Sequence, residues 1–305
     1  MTLAAFSALI VIAIGVLLRR LGVMDREQAP ILVQATLYVL LPALVLDIMV
    51  GAQLDWGLIL VPFVAYAVTL VMAPIALVFA RMMKLGRASI GGVILMISIA
   101  NTGFFGLPLI AASGGEFSLT VAVMYDAIGT GILIWTFNPI VAAWFGRGEV
   151  EGAMTIRQSL KGLLLPPMWA LILGLVLNLS GVHQLWTWID VPVGYLAGAL
   201  LPVVMLYAGL VLDWSGFADN WRTIAGVSVL KLALMPVVAF AIAWLFGFRG
   251  NDLDTLVVLG AMPSGMMALV MGAHYRLPVN LLAACVAVTT VLSLVTIPIV
   301  TAVIT

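Results

Sequence analysis

Long and nearly uninterrupted apolar runs dominate the sequence, and they constrain its fold more than any other feature. A helix that crosses roughly 30 Å of hydrocarbon needs about 20 apolar residues, and no water is available there to pair free backbone groups. These runs are too long for the strands of a membrane barrel, and charged side chains make up only 9% of the chain. The sequence therefore predicts an all-α integral membrane protein embedded in a lipid bilayer.

Ten stretches are long and apolar enough to span a bilayer. They fall near residues 2–18, 30–50, 57–80, 88–113, 118–145, 163–180, 191–212, 223–246, 253–274 and 279–304. Eleven of the thirteen basic residues lie in connections that follow odd-numbered stretches, whereas connections after even-numbered stretches carry only Arg249. Because basic loops stay in the cytoplasm, we expect a multi-pass protein of the cell (inner) membrane with both termini extracytoplasmic.

Short motifs recur at a spacing near 160 residues. Leu40-Leu41-Pro42 returns as Leu200-Leu201-Pro202, and further matches at prolines follow in the same order. A unit with an odd number of helices starts its second copy on the opposite side of the membrane, so an axis in the membrane plane relates the copies. We predict two inverted five-helix repeats, residues 1–152 and 153–305, joined by the charged connection 146–162.

The fourth and ninth stretches are interrupted at corresponding positions. The fourth carries two glycines, an asparagine and a proline between Ala100 and Pro108, and the ninth reads Ala261-Met262-Pro263-Ser264-Gly265. Proline removes a helical hydrogen bond and glycine permits unusual dihedrals, so both segments should unwind at mid-depth. Half-helix N-termini offer N–H groups and positive dipole to an anion, which indicates a carboxylate site. Simple kinks, common in membrane helices, are the alternative interpretation.

The run Asn101-Thr102-Gly103-Phe104-Phe105-Gly106-Leu107-Pro108, the break at Pro263 and the ten-span layout resemble the auxin efflux carrier family over essentially the whole chain. The resemblance implies a carrier of organic anions with a scaffold half and a moving half. It also implies that the fourth and ninth helices, both broken, cross at Pro108 and Pro263. The short connection between the repeats is similar to the compact bacterial members, which are associated with malonate, malate and similar carboxylates.

The predicted substrate site combines both interruptions with one basic residue inside the membrane. Its members are Asn101, Thr102, Gly103, Gly106, Pro108, Met262, Pro263, Ser264, Gly265 and Lys231. Lys231 is expected to contact the substrate anion or a carboxylate, or else to extend toward the cytoplasmic surface. Asp126 and Asp47 are candidates for coupling, because an acid within the membrane is a functional hypothesis by default. Asp126 would accept a proton or pair with Lys231, and a structural ion pair or an outer vestibule is the alternative.

Two smaller features complete the sequence predictions. Asn138 precedes Pro139 and is expected to pair with backbone groups freed by that kink. Gly194 and Gly198 form a small-xxx-small pair that permits close helix approach, either within one protomer or in a homodimer.

The leading functional hypothesis is a secondary carrier, most consistent with efflux, that moves small mono- or dicarboxylates by alternating access around the crossing. An ion- or solute-conducting channel is the alternative, although the sequence shows no filter motif or ring of charge. No zinc-protease, nucleophile-elbow or P-loop motif is present, so we expect neither an enzyme nor a cofactor or metal. No dense basic cluster points to nucleic acid as a partner.

Overall fold

The computed structural model describes residues 1–146 and 164–304, and within these ranges the chain folds almost entirely as helices. Twelve helical segments follow one another there: α1 Thr2–Arg20, α2 Arg26–Val50, α3 Trp56–Met82, α4 Arg87–Ser98, α5 Thr102–Ala111, α6 Leu119–Phe145, α7 Pro166–Leu179, α8 Thr187–Val211, α9 Phe217–Leu245, α10 Gly250–Gly260, α11 Met267–His274 and α12 Val279–Ile304. Seven of these are long and apolar enough to cross a membrane. The prediction of an all-α multi-pass protein is confirmed, whereas the repeat boundary near 152 lies outside the described residues.

Four of the helical segments contain a stretch of wide, π-helical turns. Three of these stretches end two residues before a proline, at Pro42 in α2, Pro108 in α5 and Pro236 in α9. A proline lacks its N–H and its ring clashes with the carbonyl one turn earlier, so a straight α-helix cannot pass through it unchanged. The wider turn absorbs that clash, which explains why these helices continue through the proline.

Tryptophan side chains lie near helix ends on the outer surface of the bundle. Six of them are exposed by 46–87%: Trp56, Trp144, Trp186, Trp188, Trp214 and Trp221. An amphipathic indole favours the boundary between hydrocarbon and water. Their placement fits a protein whose outer helix faces contact lipid.

The connections between helices meet at two opposite ends of the bundle. At one end, Arg26, the first residue of α2, forms an ion pair with Asp213 after α8, with a distance of 2.9 Å between Nη1 and Oδ2. At the other end, the amino group of Met1 forms an ion pair with Glu116, which lies between α5 and α6. We call these the Arg26 end and the Glu116 end.

Helices α1 and α8 approach each other backbone to backbone. A Cβ atom on Gly209 would lie 2.2 Å from the carbonyl oxygen of Ile12, and one on Gly15 would lie 2.5 Å from that of Leu206. Glycines at the contact remove the side chains that would hold the helices apart. These two helices, together with α2 and α7, form one packed group, and α3, α4, α6, α9, α10 and α12 form the larger part of the bundle.

The glycine pair Gly194 and Gly198 on α8 makes no such contact. No atom of the described chain lies within 4 Å of a Cβ atom built on either glycine. Close helix approach within the protomer therefore takes place at Gly209 rather than at this pair. A role of the pair in a homodimer stays a prediction.

Candidate functional site

The two interruptions meet each other inside the bundle. The backbone N–H of Asn101 donates to the carbonyl oxygen of Pro263 at 2.8 Å, and that of Gly265 donates to the carbonyl oxygen of Ile99 at 3.1 Å. Together these bonds form an antiparallel bridge between the two unwound segments. Backbone groups freed by the breaks therefore satisfy one another, as non-helical backbone at membrane depth requires. We call this contact the crossing.

The register of the crossing differs from the one that the family resemblance implies. Pro263 belongs to it, but its partner residues on the other strand are Ile99 and Asn101. Pro108 lies further along the chain, buried in the regular α-helix that follows the π-helical turn of α5. The break itself extends from Ile99 to Asn101, where the backbone leaves the helical region, so Pro108 lies within α5 and does not form the contact.

Three further predicted residues pack behind the crossing. A Cβ atom on Gly106 would lie 3.3 Å from Cγ of Met262, so the two segments approach closely there. The hydroxyl of Ser264 donates to the carbonyl oxygen of Met96 at 2.7 Å, and its backbone N–H donates to Oγ1 of Thr289 at 3.2 Å. Gly106, Met262 and Ser264 are buried and hold the crossing against α4 and α12.

In front of the crossing lies a cavity of about 120 Å³. The first residues of α5 and of α11 form one wall, and α6, α2 and the start of α7 form the others. The lining residues are Leu37, Leu41, Ile99, Ala100, Asn101, Thr102, Gly103, Phe104, Asp126, Ala127, Thr130, Gly131, Ile134, Trp135, Leu165, Pro167, Met168, Gly265, Met266 and Met267. Four predicted substrate-site residues, together with Asp126, thus face one space.

Asp126 is the charged residue of this cavity. Its Oδ1 accepts a hydrogen bond from the hydroxyl of Thr102 at 2.5 Å. A Cβ atom on Gly103 would lie 3.0 Å from Oδ2, so a glycine at this position allows the carboxylate to approach the backbone. The carboxylate therefore sits at the N-terminus of α5, where free N–H groups and the helix dipole favour negative charge.

Asn101 brings a free hydrogen-bond donor to the same cavity. Its side chain is 5% exposed, and its amide nitrogen has no hydrogen-bond partner in the described chain. A buried donor without a partner costs about 1–3 kcal/mol. On the neighbouring wall, the backbone N–H groups of Met266 and Met267 lie at the N-terminus of α11. No earlier turn of that helix supplies a carbonyl oxygen for them. These groups together can receive an anionic oxygen.

Lys231 lies elsewhere in the bundle. It is fully buried in the π-helical stretch of α9, its Nζ is 2.8 Å from Sδ of Met235, and it does not line the cavity. Within residues 1–146 and 164–304 it makes no ion pair with Asp126. Full burial also means that Lys231 does not extend to the surface. The structure therefore places it outside the group of residues around the cavity.

Asp47 lies at the Glu116 end, away from the cavity. It lines an open depression of about 560 Å³ together with Asp55 and Asp252. No residue lines both this depression and the cavity. Buried residues separate the two spaces, such as Val45 on α2 and Val123 on α6. The cavity at the crossing and the depression at the Glu116 end are thus two separate spaces.

The walls opposite the crossing could not be assigned from sequence motifs. Thr130 and Trp135 come from α6, and Met168 comes from the start of α7. The small residues Ala127, Gly129, Thr130 and Gly131 were the available indication, since small side chains leave room beside a helix. Nothing in the local sequence around Met168 points to a site, because its position depends on how α7 packs against α2.

Comparison with known proteins shows the family of the chain. A family model described as membrane transport protein matches residues 2–301. An uncharacterized transporter of Methanothermobacter thermautotrophicus is 29% identical over 300 residues, covering 97% of this chain and 96% of that protein. An uncharacterized transporter of Methanocaldococcus jannaschii is 28% identical over 294 residues, covering 94% and 93%. The chain therefore belongs to the membrane transport protein family, the family of the auxin efflux carriers.

Proposed function

We propose that the protein is a secondary carrier of small organic anions, with its substrate site in the cavity at the crossing. The observation that carries the proposal is a partly enclosed cavity at two paired helix breaks, with polar groups at the crossing and an apolar wall opposite, separated by buried residues from the depression at the Glu116 end. A carrier exposes its site to one side at a time, and broken helices at the midplane supply the binding groups. Efflux is the direction in which we expect it to work.

The architecture of the proposal is two inverted repeats of five spans. If α4 with α5 and α10 with α11 each count as one interrupted span, the described helices make ten spans. The meeting of alternate connections at the Arg26 and Glu116 ends supports this arrangement. We propose that the Arg26 end is cytoplasmic and that both termini are extracytoplasmic in the cell membrane, because basic loops favour the cytoplasm.

The groups proposed to bind the anion belong to both half-helices. The amide of Asn101 and the first N–H groups of α11, at Met266 and Met267, are the free donors. Asp126 already occupies the N-terminus of α5, where it accepts from Thr102. The substrate carboxylate is therefore placed on the α11 side of the cavity, and Asp126 faces it as the candidate for proton coupling. Pro263 and Ser264 contribute by fixing the crossing.

A channel is the alternative function. It would need a path through the bundle, whereas the described residues separate the cavity from the opposite depression. The cavity also lacks a ring of like charges, which channels use to select ions. These observations favour the carrier.

Counterflow in proteoliposomes tests the proposal. Vesicles containing purified protein and an unlabelled carboxylate are expected to take up the labelled compound in a saturable manner, because a carrier exchanges substrate across its cycle. Gly103→Ala is expected to reduce the exchange at least tenfold, since its Cβ atom would displace Asp126. Gly86→Ala, where nothing lies within 4 Å, is the matched control and should exchange normally. Currents of channel size in a planar bilayer would contradict the carrier.

A further inference from the structure

The charge of the cavity restricts which anion it can take, given the proposed function. Asp126 is the one ionisable residue among its described lining residues, and no lysine, arginine or histidine lines it. Lys231 is buried elsewhere against Met235. An anion in this cavity therefore meets hydrogen-bond donors and one acid, but no positively charged side chain.

The donors suffice for one carboxylate. The amide nitrogen of Asn101 is unpartnered and buried, and the N-terminal N–H groups at Met266 and Met267 lie on the same wall. A carboxylate held by two or three N–H groups at a helix N-terminus is stable without a formal cation. Thr102 is already engaged with Asp126, so it does not add a second set of donors.

A second carboxylate would find no such partners. The wall away from the crossing is apolar and is built from side chains such as Leu37, Ile134, Trp135 and Met168. Burying a charge against apolar side chains costs several kcal/mol. The volume of about 120 Å³ is close to the roughly 150 Å³ that accommodates a benzene ring, so the wall suits a short hydrocarbon tail.

Asp126 and the substrate carboxylate would then share one partly enclosed space. Two carboxylates at close range cannot both ionise without a large cost in free energy, because their negative charges repel. One proton is therefore retained between them. The segments packed against the π-helical stretch of Asp126 bring no compensating charge: α5 and α7 carry no titratable side chain. On α3, the hydroxyl of Tyr66 donates to the carbonyl oxygen of Ile128, and Arg81 lies in the last turn, at the far end of the helix.

We propose that the cavity takes a monocarboxylic acid with a short apolar tail together with one proton held at Asp126, and that it excludes dicarboxylates. The proton comes from water on the side to which the cavity opens and leaves with the substrate on the other side. The apolar tail contacts Trp135 and Met168, and the carboxyl group contacts Asn101 and the start of α11.

Ligand-induced thermal stabilisation of the purified protein tests this proposal, because a ligand that binds the folded state raises its apparent stability. Butanoate and 3-methylbutanoate are compared with malonate and succinate between pH 5 and pH 8. We expect the monocarboxylates to bind at least tenfold more tightly than the dicarboxylates. Their affinity should fall by about tenfold per pH unit in the upper part of the range, as uptake of one proton requires.

Asp126→Asn separates proton uptake from anion binding. The variant is neutral and nearly isosteric, so monocarboxylate binding should persist while its dependence on pH is lost. Asp47→Asn, at the opposite end of the bundle, should keep the dependence of the parent protein. Equal or tighter binding of dicarboxylates, or an unchanged pH dependence in Asp126→Asn, overturns this inference while leaving an anion carrier in place. Absence of binding and counterflow for every carboxylate overturns the proposed function itself.

Discussion

At the scale of single residues, two buried asparagines have the same side chain but different surroundings. Asn101 and Asn138 are both buried, and both have side-chain atoms without a hydrogen-bond partner in the described chain. Asn101 lines the cavity at the crossing, whereas Asn138 does not. The expectation that Asn138 pairs with backbone freed by Pro139 is not met, because neither its amide nitrogen nor its oxygen has a partner.

Replacing each asparagine by leucine should therefore affect different properties: the free energy of unfolding for Asn138, and ligand binding for Asn101. Asn138→Leu removes two unpartnered polar atoms and should raise the free energy of unfolding by about 1–3 kcal/mol without affecting ligand binding. Asn101→Leu should leave the protein folded and abolish stabilisation by monocarboxylates. Thermal unfolding in detergent, with and without ligand, measures both effects. Ligand stabilisation that persists in Asn101→Leu would remove this residue from the site.

Lys231 is the third residue whose position leads to a prediction. It is fully buried, and its Nζ contacts the Sδ atom of Met235 at 2.8 Å. Burying an amine that lacks an anionic partner is costly, and apolar replacements of buried charged groups are often stabilising.

Lys231→Met is accordingly expected to raise the apparent unfolding temperature and to change substrate affinity by less than about threefold. Lys231→Glu, which keeps a buried ionisable group, serves as the comparison and should not be stabilised. A folded Lys231→Met protein that has lost transport would show that Lys231 acts in the transport cycle, as the sequence hypothesis held.

At the scale of elements, hydropathy predicted the helices well because their lengths are fixed by the thickness of the bilayer. The stretch 57–80 corresponds to Trp56–Met82, and 88–113 corresponds to α4 and α5, with the helix broken at Ile99 to Asn101 rather than along the whole segment to Pro108. The π-helical turns and the register of the crossing could not be predicted in the same way. They depend on which backbone groups of two distant segments meet, and the local sequence between Ala100 and Pro108 does not determine that.

At this scale, we predict that the close contact between α1 and α8 contributes to the stability of the protein. Gly209→Leu should destabilise the protein by about 1–3 kcal/mol or more, because its side chain would overlap the carbonyl oxygen of Ile12. Gly198→Leu on the same helix should leave the protomer as stable as before, since nothing lies within 4 Å of that position.

Size-exclusion chromatography and thermal unfolding in detergent distinguish these two variants. Equal destabilisation by both would contradict the assignment of the close contact to Gly209. The same measurement tests the predicted homodimer, because Gly198→Leu should then convert a dimer to a monomer. An unchanged elution volume of a dimeric parent would place the dimer contact elsewhere.

At the scale of the whole molecule, the sequence predicted a membrane transporter, and the family match confirms this level of description. The cavity itself combines residues from five helices that are far apart in the chain, among them Leu37, Asn101, Asp126 and Met168. Motifs identified the half-helices because broken helices have a local signature. The facing walls have no such signature, since packing alone brings α2, α6 and α7 to the crossing.

The central claim is that the cavity at the crossing is the site of a carrier and opens to one side at a time. Thr130 lines the cavity, and Cys285, the one cysteine of the chain, is buried, so Thr130→Cys in a Cys285→Ser background gives a single reporter. The measurement is labelling by a membrane-impermeant thiol reagent in oriented proteoliposomes, applied from either side with and without butanoate. We expect labelling from the side of the Arg26 end that butanoate slows, and labelling from the other side that depends on turnover. Rapid labelling from both sides that butanoate does not change would contradict it.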